Sequence, residues 1–207
     1  QPARYPLVAS SEAISKQVKT SQMSDTISVS VEGTTDSDRL SSQEEQAPGI
    51  DSWSVRMADS CMKRRPILSD HWSYDWGVAI KGVEQVWLET GDKKYLEYIQ
   101  RNIEQFVEPD GDIRTYDLQD YNLDQIHTGK LFFQLYQETG DERYQQALHL
   151  LMKQLKTQPR TREGGFWHKK IYPYQMWLDG IYMASPFYAQ YADRFDEPSG
   201  FDDAAHQ

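Results

Sequence analysis

Two stretches of the chain, VWLETGDKKYLEYIQRNI at 86–103 and LYQETGDERYQQALHLLM at 135–152, align with each other around a shared Glu-Thr-Gly-Asp turn. The turns begin at Glu89 and Glu138, so the repeat period is 49 residues. In each copy a more apolar helical pattern precedes the turn and an amphipathic helical pattern follows it. Such a repeat is typical of stacked helical hairpins, with the apolar helix inside and the amphipathic helix outside. The pattern predicts either an open solenoid or, if the stack closes on itself, an (α/α) toroid.

The rest of the chain from Trp53 onward is also patterned as helices. No segment alternates at period two over a useful length, so we predict an all-α fold with almost no strand. A third copy of the unit is predicted to begin at Gln175 with an apolar helix, and its return helix is predicted to begin near Gly200. A separate helix is predicted from Trp53 up to Pro66, where the proline ends it. The predicted helices of the first two repeats cover residues 75–90, 93–107, 123–139 and 142–156.

The first 51 residues differ in composition from the remainder of the chain. They are polar and rich in Ser and Thr, so they bury too little apolar surface to offset the entropy lost on ordering. We therefore predict a low-complexity, disordered segment at 1–51 and a helical domain at 52–207. The sequence has neither an initiator Met nor a signal-peptide pattern, which predicts a processed form or a fragment. A cytoplasmic and a periplasmic location both stay open.

Charge and hydropathy restrict the class of partner. A net charge of −10 at pH 7 argues against nucleic acid, and no apolar run approaches the length of a membrane span. A single cysteine, Cys61, excludes an internal disulfide framework. Six Trp and thirteen Tyr residues suit a carbohydrate cleft, where aromatic rings stack on sugar faces, and they suit an ordinary aromatic core equally. The oligomeric state is not readable from the sequence.

The segments that lead into the apolar helices are rich in Trp, Tyr, Asp and His, unlike the turns at the other end of the hairpins. When the repeats are aligned, Asp124 and Asp179 fall at the starts of adjacent inner helices, at the same end of the stack. Two carboxyl groups in one partly dry pocket push their pKa values apart, so that one can serve as an acid. Alternatively, Asp124 is only a helix-start residue favoured by the helix dipole, and Asp179 is a hydrogen-bonded core carboxylate. The lead-in segments are SDHWSYDWG, DIRTYDLQDYNLDQ and GGFWHKKIYPYQMWLDG.

The lead-in to the third inner helix concentrates basic residues. Arg160 precedes it, and a Lys-Lys pair follows His168. In a chain of net charge −10 this local excess predicts an anionic ligand, and a solvated loop with ordinary surface charges is the alternative. His168 is a candidate ligand contact because it lies in the loop. His127, about one turn after Asp124, could pair with it, but we interpret it as a satisfied histidine near a helix start.

The stretch RTREGGFWHKKIYPYQMWLDGIYMASPFYAQYA at 160–192 resembles the unsaturated rhamnogalacturonyl hydrolases, glycoside hydrolase family 105. The resemblance extends over 53–207 and implies an (α/α)6 toroid of paired helices, here truncated to about three hairpins. Half a toroid leaves the apolar inner helices without their neighbours, so we expect exposed apolar side chains there. The supporting segments are HWSYDWGVAIKGVEQVW at 71–87, LDQIHTGKLFFQLYQETGDERY at 123–144 and the final FDDAAHQ.

The resemblance also implies a reaction. Family members remove the 4,5-unsaturated galacturonyl residue from rhamnogalacturonan oligosaccharides by hydrating its enol-ether double bond, with no metal or organic cofactor. On the family pattern Asp179 is the general acid and base, and Asp124 is the second carboxylate. The partner is thus expected to be an anionic unsaturated oligosaccharide. The predicted substrate-binding residues are His168, Trp177, Trp167, Tyr174 and Arg160.

Several alternatives stay open at this point. Related enzymes act on unsaturated glucuronyl-rhamnose of the ulvan type, and the sequence does not separate the two uronic acids. A truncated toroid could be inactive, or it could be a carbohydrate-binding module that keeps the aromatic loops. Stacked hairpins alone would also suit an interaction scaffold. Asp124 and Asp179 in register argue against the scaffold, because a scaffold has no need of two inward carboxylates.

Overall fold

The computed structural model of the protein describes residues 52–207. The segment predicted to be disordered, 1–51, lies outside the described residues, and the domain boundary stays a prediction. Within residues 52–207 the chain forms eight α-helices, one 3-10 turn and two isolated β-bridges, so the predicted all-α class is confirmed. The helices are α1 (Trp53–Arg64), α2 (Tyr74–Thr90), α3 (Lys93–Glu104), α4 (Asp124–Thr128), α5 (Lys130–Thr139), α6 (Glu142–Thr157), α7 (Leu178–Arg194) and α8 (Ser199–His206).

The second inner helix is interrupted, contrary to the single helix predicted over 123–139. The chain tightens at Gly129, whose N–H donates to the carbonyl of Ile126 at 3.0 Å, and this separates α4 from α5. A Cβ at Gly129 would overlap the side chain of Leu151 on α6. Glycine at this point thus permits close packing against the neighbouring outer helix, a long-range contact that the helical periodicity does not reveal.

The third inner helix begins at Leu178, three residues later than predicted. Tyr174 adopts a left-handed conformation with φ 63°, which a helix does not accommodate. The carbonyl of Gln175 accepts a hydrogen bond from the N–H of His168 at 2.8 Å, and Trp177 is extended. The residues before Leu178 thus belong to the loop that carries the candidate site.

The two Gly-Asp turns of the repeat are built from the same hydrogen bonds. Gly91 and Gly140 end α2 and α5 in the left-handed conformation, with φ 67° and 69°, which glycine adopts without a steric penalty. Asp92 and Asp141 then cap α3 and α6, and each accepts a bond of 3.0 Å from the N–H two residues further on. The predicted hairpin repeat is therefore confirmed at the level of individual hydrogen bonds.

The inner helices pack side by side, and each outer helix packs on the inner helix that precedes it. Helix α2 contacts α4, and α4 contacts α7, while α3, α6 and α8 lie against α2, α5 and α7. The approach between α2 and α4 is close, because a Cβ on Gly77 would overlap the side chain of Thr128. The hydroxyl of Thr128 donates to the carbonyl of Ser73 at 2.8 Å, which fixes the start of α2 against the end of α4.

Aromatic pairs fill the space between the layers. Trp72 stacks on Phe132 with a centroid distance of 5.3 Å, and Trp76 stacks on Phe106 at 5.1 Å. All four rings are buried, and each such pair contributes about 0.5–1.5 kcal/mol beyond the burial of its area. The indole N–H of Trp72 donates to the carbonyl of Gln125 at 2.8 Å, so the segment before α2 is also tied to the start of α4.

Two of the inner helices expose large apolar side chains. Leu178 is 85% exposed and Tyr182 is 52% exposed on α7, and Val78 on α2 is exposed as well. This is the pattern expected of a partial toroid, since each inner helix of a closed ring has neighbours on both sides. Among the helices of residues 52–207, none combines the length and the apolar character needed to cross a bilayer.

The close approach of α2 and α4 is testable with two matched substitutions on one helix. Gly77→Ala places a methyl group against Thr128, whereas Gly82→Ala has no atom within 4 Å of the new Cβ. Both substitutions gain helix propensity, but only the first overpacks, so its free energy of unfolding is expected to be lower than that of Gly82→Ala by about 1–3 kcal/mol. Urea unfolding followed by circular dichroism measures the difference, and equal stabilities would contradict the contact.

Candidate active site

The structure brings three of the predicted site residues together at one end of the inner helices. Asp124 is the first residue of α4, Asp179 lies in the first turn of α7, and His168 lies in the loop before α7. One ligand atom from each residue lies within 4.8 Å of the others. Adjacent inner helices therefore place their two aspartates close together, as the register of the repeat predicts, and the loop adds an imidazole.

Asp124 is buried and is contacted by two basic side chains. Its Oδ1 lies 3.1 Å from Nε2 of His168, and its Oδ2 lies 2.6 Å from Nζ of Lys169. The backbone N–H of Asp124 donates to the side-chain oxygen of Asn122 at 3.0 Å, as expected at the start of a helix. Asp124 is thus a helix-start residue and also part of a buried charge cluster, so the helix dipole is not its only partner.

Asp179 is exposed, so the alternative of a hydrogen-bonded core carboxylate is wrong. Helix α7 carries apolar residues on more than one side, but the flank that bears Leu178 and Tyr182 is uncovered in the described part of the chain. The aspartate on this flank consequently reaches solvent. The two carboxylates occupy different environments: Asp124 is enclosed by protein groups, and Asp179 is open to a ligand and to water.

His168 is held in place by both its backbone and its ring. Its carbonyl accepts a bond from the N–H of Leu123 at 3.0 Å, which joins the loop directly to the start of α4. Its ring stacks on Trp177 at a centroid distance of 4.4 Å and an angle of 10°. A Cβ at Gly180 would lie 3.0 Å from Nδ1 of His168, so glycine at this point of α7 leaves space for the imidazole.

The protonation of His168 follows from its surroundings. Only 1% of the residue is exposed, and this burial lowers the pKa of His168 below its ordinary value. The negative charges of Asp124 and Asp179 act in the opposite direction, and the ammonium of Lys169 reinforces the lowering. Burial outweighs the carboxylates, so the imidazole is neutral at neutral pH and one ring nitrogen carries a proton that it can donate.

Two sets of aromatic contacts lie in the segment 167–177, which also carries His168. Trp177 stacks with Tyr172 at 5.1 Å in addition to His168. Trp167 and Tyr174 form a second, tilted pair at 4.7 Å. Trp177 is 39% exposed and Tyr174 is 75% exposed, so both offer ring surface to a ligand. Exposed rings beside carboxylates are the arrangement that stacks on a sugar while acidic groups act on it.

The structure does not bring Arg160 into this cluster as a free cation. Its guanidinium donates to both carboxylate oxygens of Asp203, at 2.8 and 2.6 Å. His127, in turn, does not pair with Asp124, and neither of its ring nitrogens has a hydrogen-bond partner within residues 52–207. Burial and nearby lysines lower the pKa of His127 to about 3. Within residues 52–207 no protein group therefore supplies the partner that the interpretation of His127 as a satisfied histidine requires.

Sequence reasoning gave no individual role in the site to three side chains, although it counted one of them, Lys169, in the Lys-Lys pair. Lys169 contacts Asp124, Tyr172 stacks on Trp177, and the side-chain oxygen of Gln175 accepts a bond of 3.1 Å from the indole N–H of Trp177. Of these three side chains, only Lys169 is indicated by a sequence feature, the Lys-Lys pair after His168. The other two contacts depend on how the loop folds back on itself.

Carboxylates and imidazole also bind metal ions, so the same three groups are a possible metal set. The ammonium of Lys169 occupies Oδ2 of Asp124 at 2.6 Å, however, and its charge repels a cation. The arrangement thus favours proton transfer over metal binding. The expectation that no metal or cofactor is needed stays a prediction.

The charge cluster predicts that two substitutions shift the pKa of His168 in opposite directions. Asp124→Asn removes a negative charge and is expected to lower this pKa further, whereas Lys169→Gln removes a positive charge and is expected to raise it. NMR titration of the histidine rings measures both shifts. His149, which bonds to Tyr191 elsewhere in the fold, is the internal control. Shifts in the same direction for both variants would contradict the described cluster.

Comparisons with known proteins agree with this geometry. Residues 53–207 match the profile of the family described as Glycosyl Hydrolase Family 88. A solved structure described as a glycoside hydrolase of family 105 from C. acetobutylicum ATCC 824 is similar, with a TM-score of 0.72 and 46% sequence identity. The matched region covers 75% of this chain and 43% of that one, so this chain spans less than half the length of the solved relative. On the match over 53–207, the chain belongs to glycosyl hydrolase family 88.

Proposed function

We propose that the protein is a glycoside hydrolase that removes a 4,5-unsaturated galacturonyl residue from rhamnogalacturonan oligosaccharides. The reaction is hydration of the enol-ether double bond, with Asp179 as general acid and base and Asp124 as the second carboxylate. The observation that carries the proposal is an exposed Asp179 beside the buried Asp124 and His168, with ligand atoms all within 4.8 Å of one another. Family membership supports the hydrolysis of a sugar derivative.

The spacing of the carboxylates argues against the inverting glycosidase mechanism. Inverting glycosidases separate their two carboxyl groups by about 6.5–9.5 Å to hold a water molecule across the sugar from the leaving group. Oxygens of Asp124 and Asp179 lie within 4.8 Å of each other, which is closer than that arrangement needs. Hydration of an enol ether requires one acid at a ring carbon, and a single solvent-facing carboxyl group supplies it.

The proposed steps balance with one molecule of water. The carboxylic acid of Asp179 gives its proton to C4, which leaves an oxocarbenium ion shared by C5 and the ring oxygen. Water adds to C5 and returns a proton to the Asp179 carboxylate, so the residue acts as acid and then as base. The hemiketal opens to a ketone at C5, and the hemiacetal left at C1 then expels the next sugar as an alcohol.

In this proposal Asp124 stabilises the positive charge that develops at C5. It is buried between His168 and Lys169, which hold its carboxylate in one orientation. A fixed charge in a site with little water acts more strongly than the same charge in solvent. Because Asp124 is already oriented before the substrate binds, no reorganisation is needed when the charge forms.

Positively charged side chains, which are the minority in this acidic chain, recognise the anionic substrate. Lys169 lies at the site, partly exposed, and can approach the uronate carboxylate on the side away from Asp124. His168 is a further proposed contact of the same sugar, and the single N–H of its neutral ring serves either the ligand or Asp124. Trp177, whose ring also stacks with His168 and Tyr172, is the proposed contact for the unsaturated ring through its exposed part. Trp167 and Tyr174 are proposed as further sugar contacts.

The first test follows the ultraviolet absorbance of the conjugated double bond in unsaturated galacturonyl-rhamnose. The 207-residue protein is expected to remove this absorbance, and Asp179→Asn is expected to slow the loss by at least ~100-fold, because general acid–base catalysis is worth about that much. The matched control is Asp193→Asn, which changes an exposed aspartate near the other end of α7. It should leave the rate unchanged.

Two results would count against the proposal. A parent-like rate for Asp179→Asn would remove the acid role, and no loss of absorbance with the parent protein would remove the proposed activity for this chain. Unsaturated glucuronyl-rhamnose is assayed in parallel, and the ratio of the two kcat/KM values decides which uronic acid is preferred. A preference for the glucuronyl substrate would replace the sugar in the proposal and keep the reaction.

A further inference from the structure

A tight hairpin lies immediately before His168. The N–H of Thr161 donates to the carbonyl of Gly165 at 2.8 Å, and the N–H of Trp167 donates to the carbonyl of Pro159 at 2.8 Å. Gly164 adopts the left-handed conformation with φ 97° near the tip. One peptide bond joins this hairpin to His168, so any displacement of the hairpin displaces the imidazole as well.

Arg160 fastens both sides of the hairpin to α8. Its guanidinium donates in bidentate fashion to Asp203 on α8, at 2.8 and 2.6 Å, and also to the carbonyl of Gly164 at 2.7 Å. The guanidinium lies 4.2 Å from the centroid of the Phe166 ring, on the opposite side of the hairpin. The pair lowers the pKa of Asp203, chiefly through the hydrogen bonds from Arg160.

Two more side chains at the end of α8 hold the same hairpin. The side-chain oxygen of Gln207 accepts a bond from the N–H of Phe166 at 2.7 Å, and Nε2 of His206 donates to the carbonyl of Glu163 at 2.7 Å. Phe166 and Gln207 also line a small cavity together with Trp177, the ring that stacks on His168. Contacts from α8 therefore extend to the stacked rings of the site.

We infer that Arg160 and Asp203 are a positioning pair, through which α8 sets the placement of His168 against Asp124 and Trp177. This differs from the expectation that Arg160 binds the substrate. The planar guanidinium of Arg160 is already paired with the Asp203 carboxylate. The effect on catalysis rests on the proposed function, in which His168 contacts the sugar. The effect on His168 itself does not depend on any reaction.

The test compares two carboxylate-to-amide substitutions near α8. Asp203→Asn breaks the ion pair to the hairpin, and Glu197→Gln breaks the pair with Lys156 at 2.8 Å, which does not involve the hairpin. NMR titration of the histidine rings is the first measurement. In Asp203→Asn the ring signals of His168 are expected to shift and its pKa to rise toward the ordinary value, because the imidazole becomes less buried. Glu197→Gln should leave both unchanged.

Turnover of unsaturated galacturonyl-rhamnose is the second measurement. Asp203→Asn is expected to lower kcat by about tenfold or more, since small displacements of a positioned group are costly, and Asp203→Glu is expected to restore most of the rate. Arg160→Lys keeps the charge but loses the fork. If Arg160 bound the sugar directly, this variant would raise KM while the His168 signals of the free protein stayed unchanged, which would overturn the positioning role.

The positioning role of the Arg160–Asp203 pair and the proposed reaction can be refuted independently of each other. Unchanged His168 signals in Asp203→Asn, with only a lower unfolding midpoint, would show a merely structural pair and overturn the inference even if the parent is active. A parent without activity but with the predicted His168 shifts would leave the pair standing and remove the proposed reaction. If Asp203→Asn does not fold, Arg160→Lys provides the same NMR comparison.

Discussion

The side-by-side packing of the inner helices is the constraint on which the rest of the structure depends. Helix α2 approaches α4 so closely that Gly77 has no room for a Cβ beside Thr128, and α4 in turn packs on α7. Helices that lie side by side bring the first residues of α4 and α7 together, and these include Asp124 and Asp179. A site of two carboxylates thus follows from hairpin stacking, without any special backbone geometry in the helices themselves.

Burial divides the roles of the two carboxylates. Removing the charge of Asp124 from water is unfavourable, and the contacts with Lys169 and His168 offset that cost. Asp179 has no such enclosure, because the flank of α7 around it is open. One carboxylate is therefore fixed as a charge in the protein, and the other is free to meet a substrate.

Much of this arrangement is readable from the sequence, for local reasons. The Gly-Asp turns combine a left-handed glycine with an N-capping aspartate, two strong local signals, and their repetition predicts both the hairpins and the shared end of Asp124 and Asp179. The family resemblance is of the same kind, since it rests on a contiguous motif around His168. Where neighbouring residues decide the structure, the sequence is a sufficient guide.

The errors have long-range causes. The close approach at Gly129 is made by Leu151 on another helix, and the partner of Arg160 is Asp203, 43 residues away. The exposure of Asp179 depends on which helices pack against α7. The apolar pattern of α7 alone does not show that one of its flanks has no packed neighbour within the described residues. Each of these features is a contact, or a missing contact, between distant parts of the chain. Hydrophobic periodicity does not contain that information.

Hydration of the double bond, rather than direct cleavage at the anomeric carbon, is tested most directly with an unsaturated galacturonyl-rhamnose whose glycosidic oxygen is replaced by sulfur. Direct cleavage requires protonation of the glycosidic atom, which sulfur resists, whereas hydration protonates C4 and leaves that atom untouched. The predicted result is that the protein consumes the double bond of the sulfur-linked and the oxygen-linked compound alike. Cleavage of the oxygen-linked compound, with the sulfur-linked double bond left intact, would contradict the role given to Asp179.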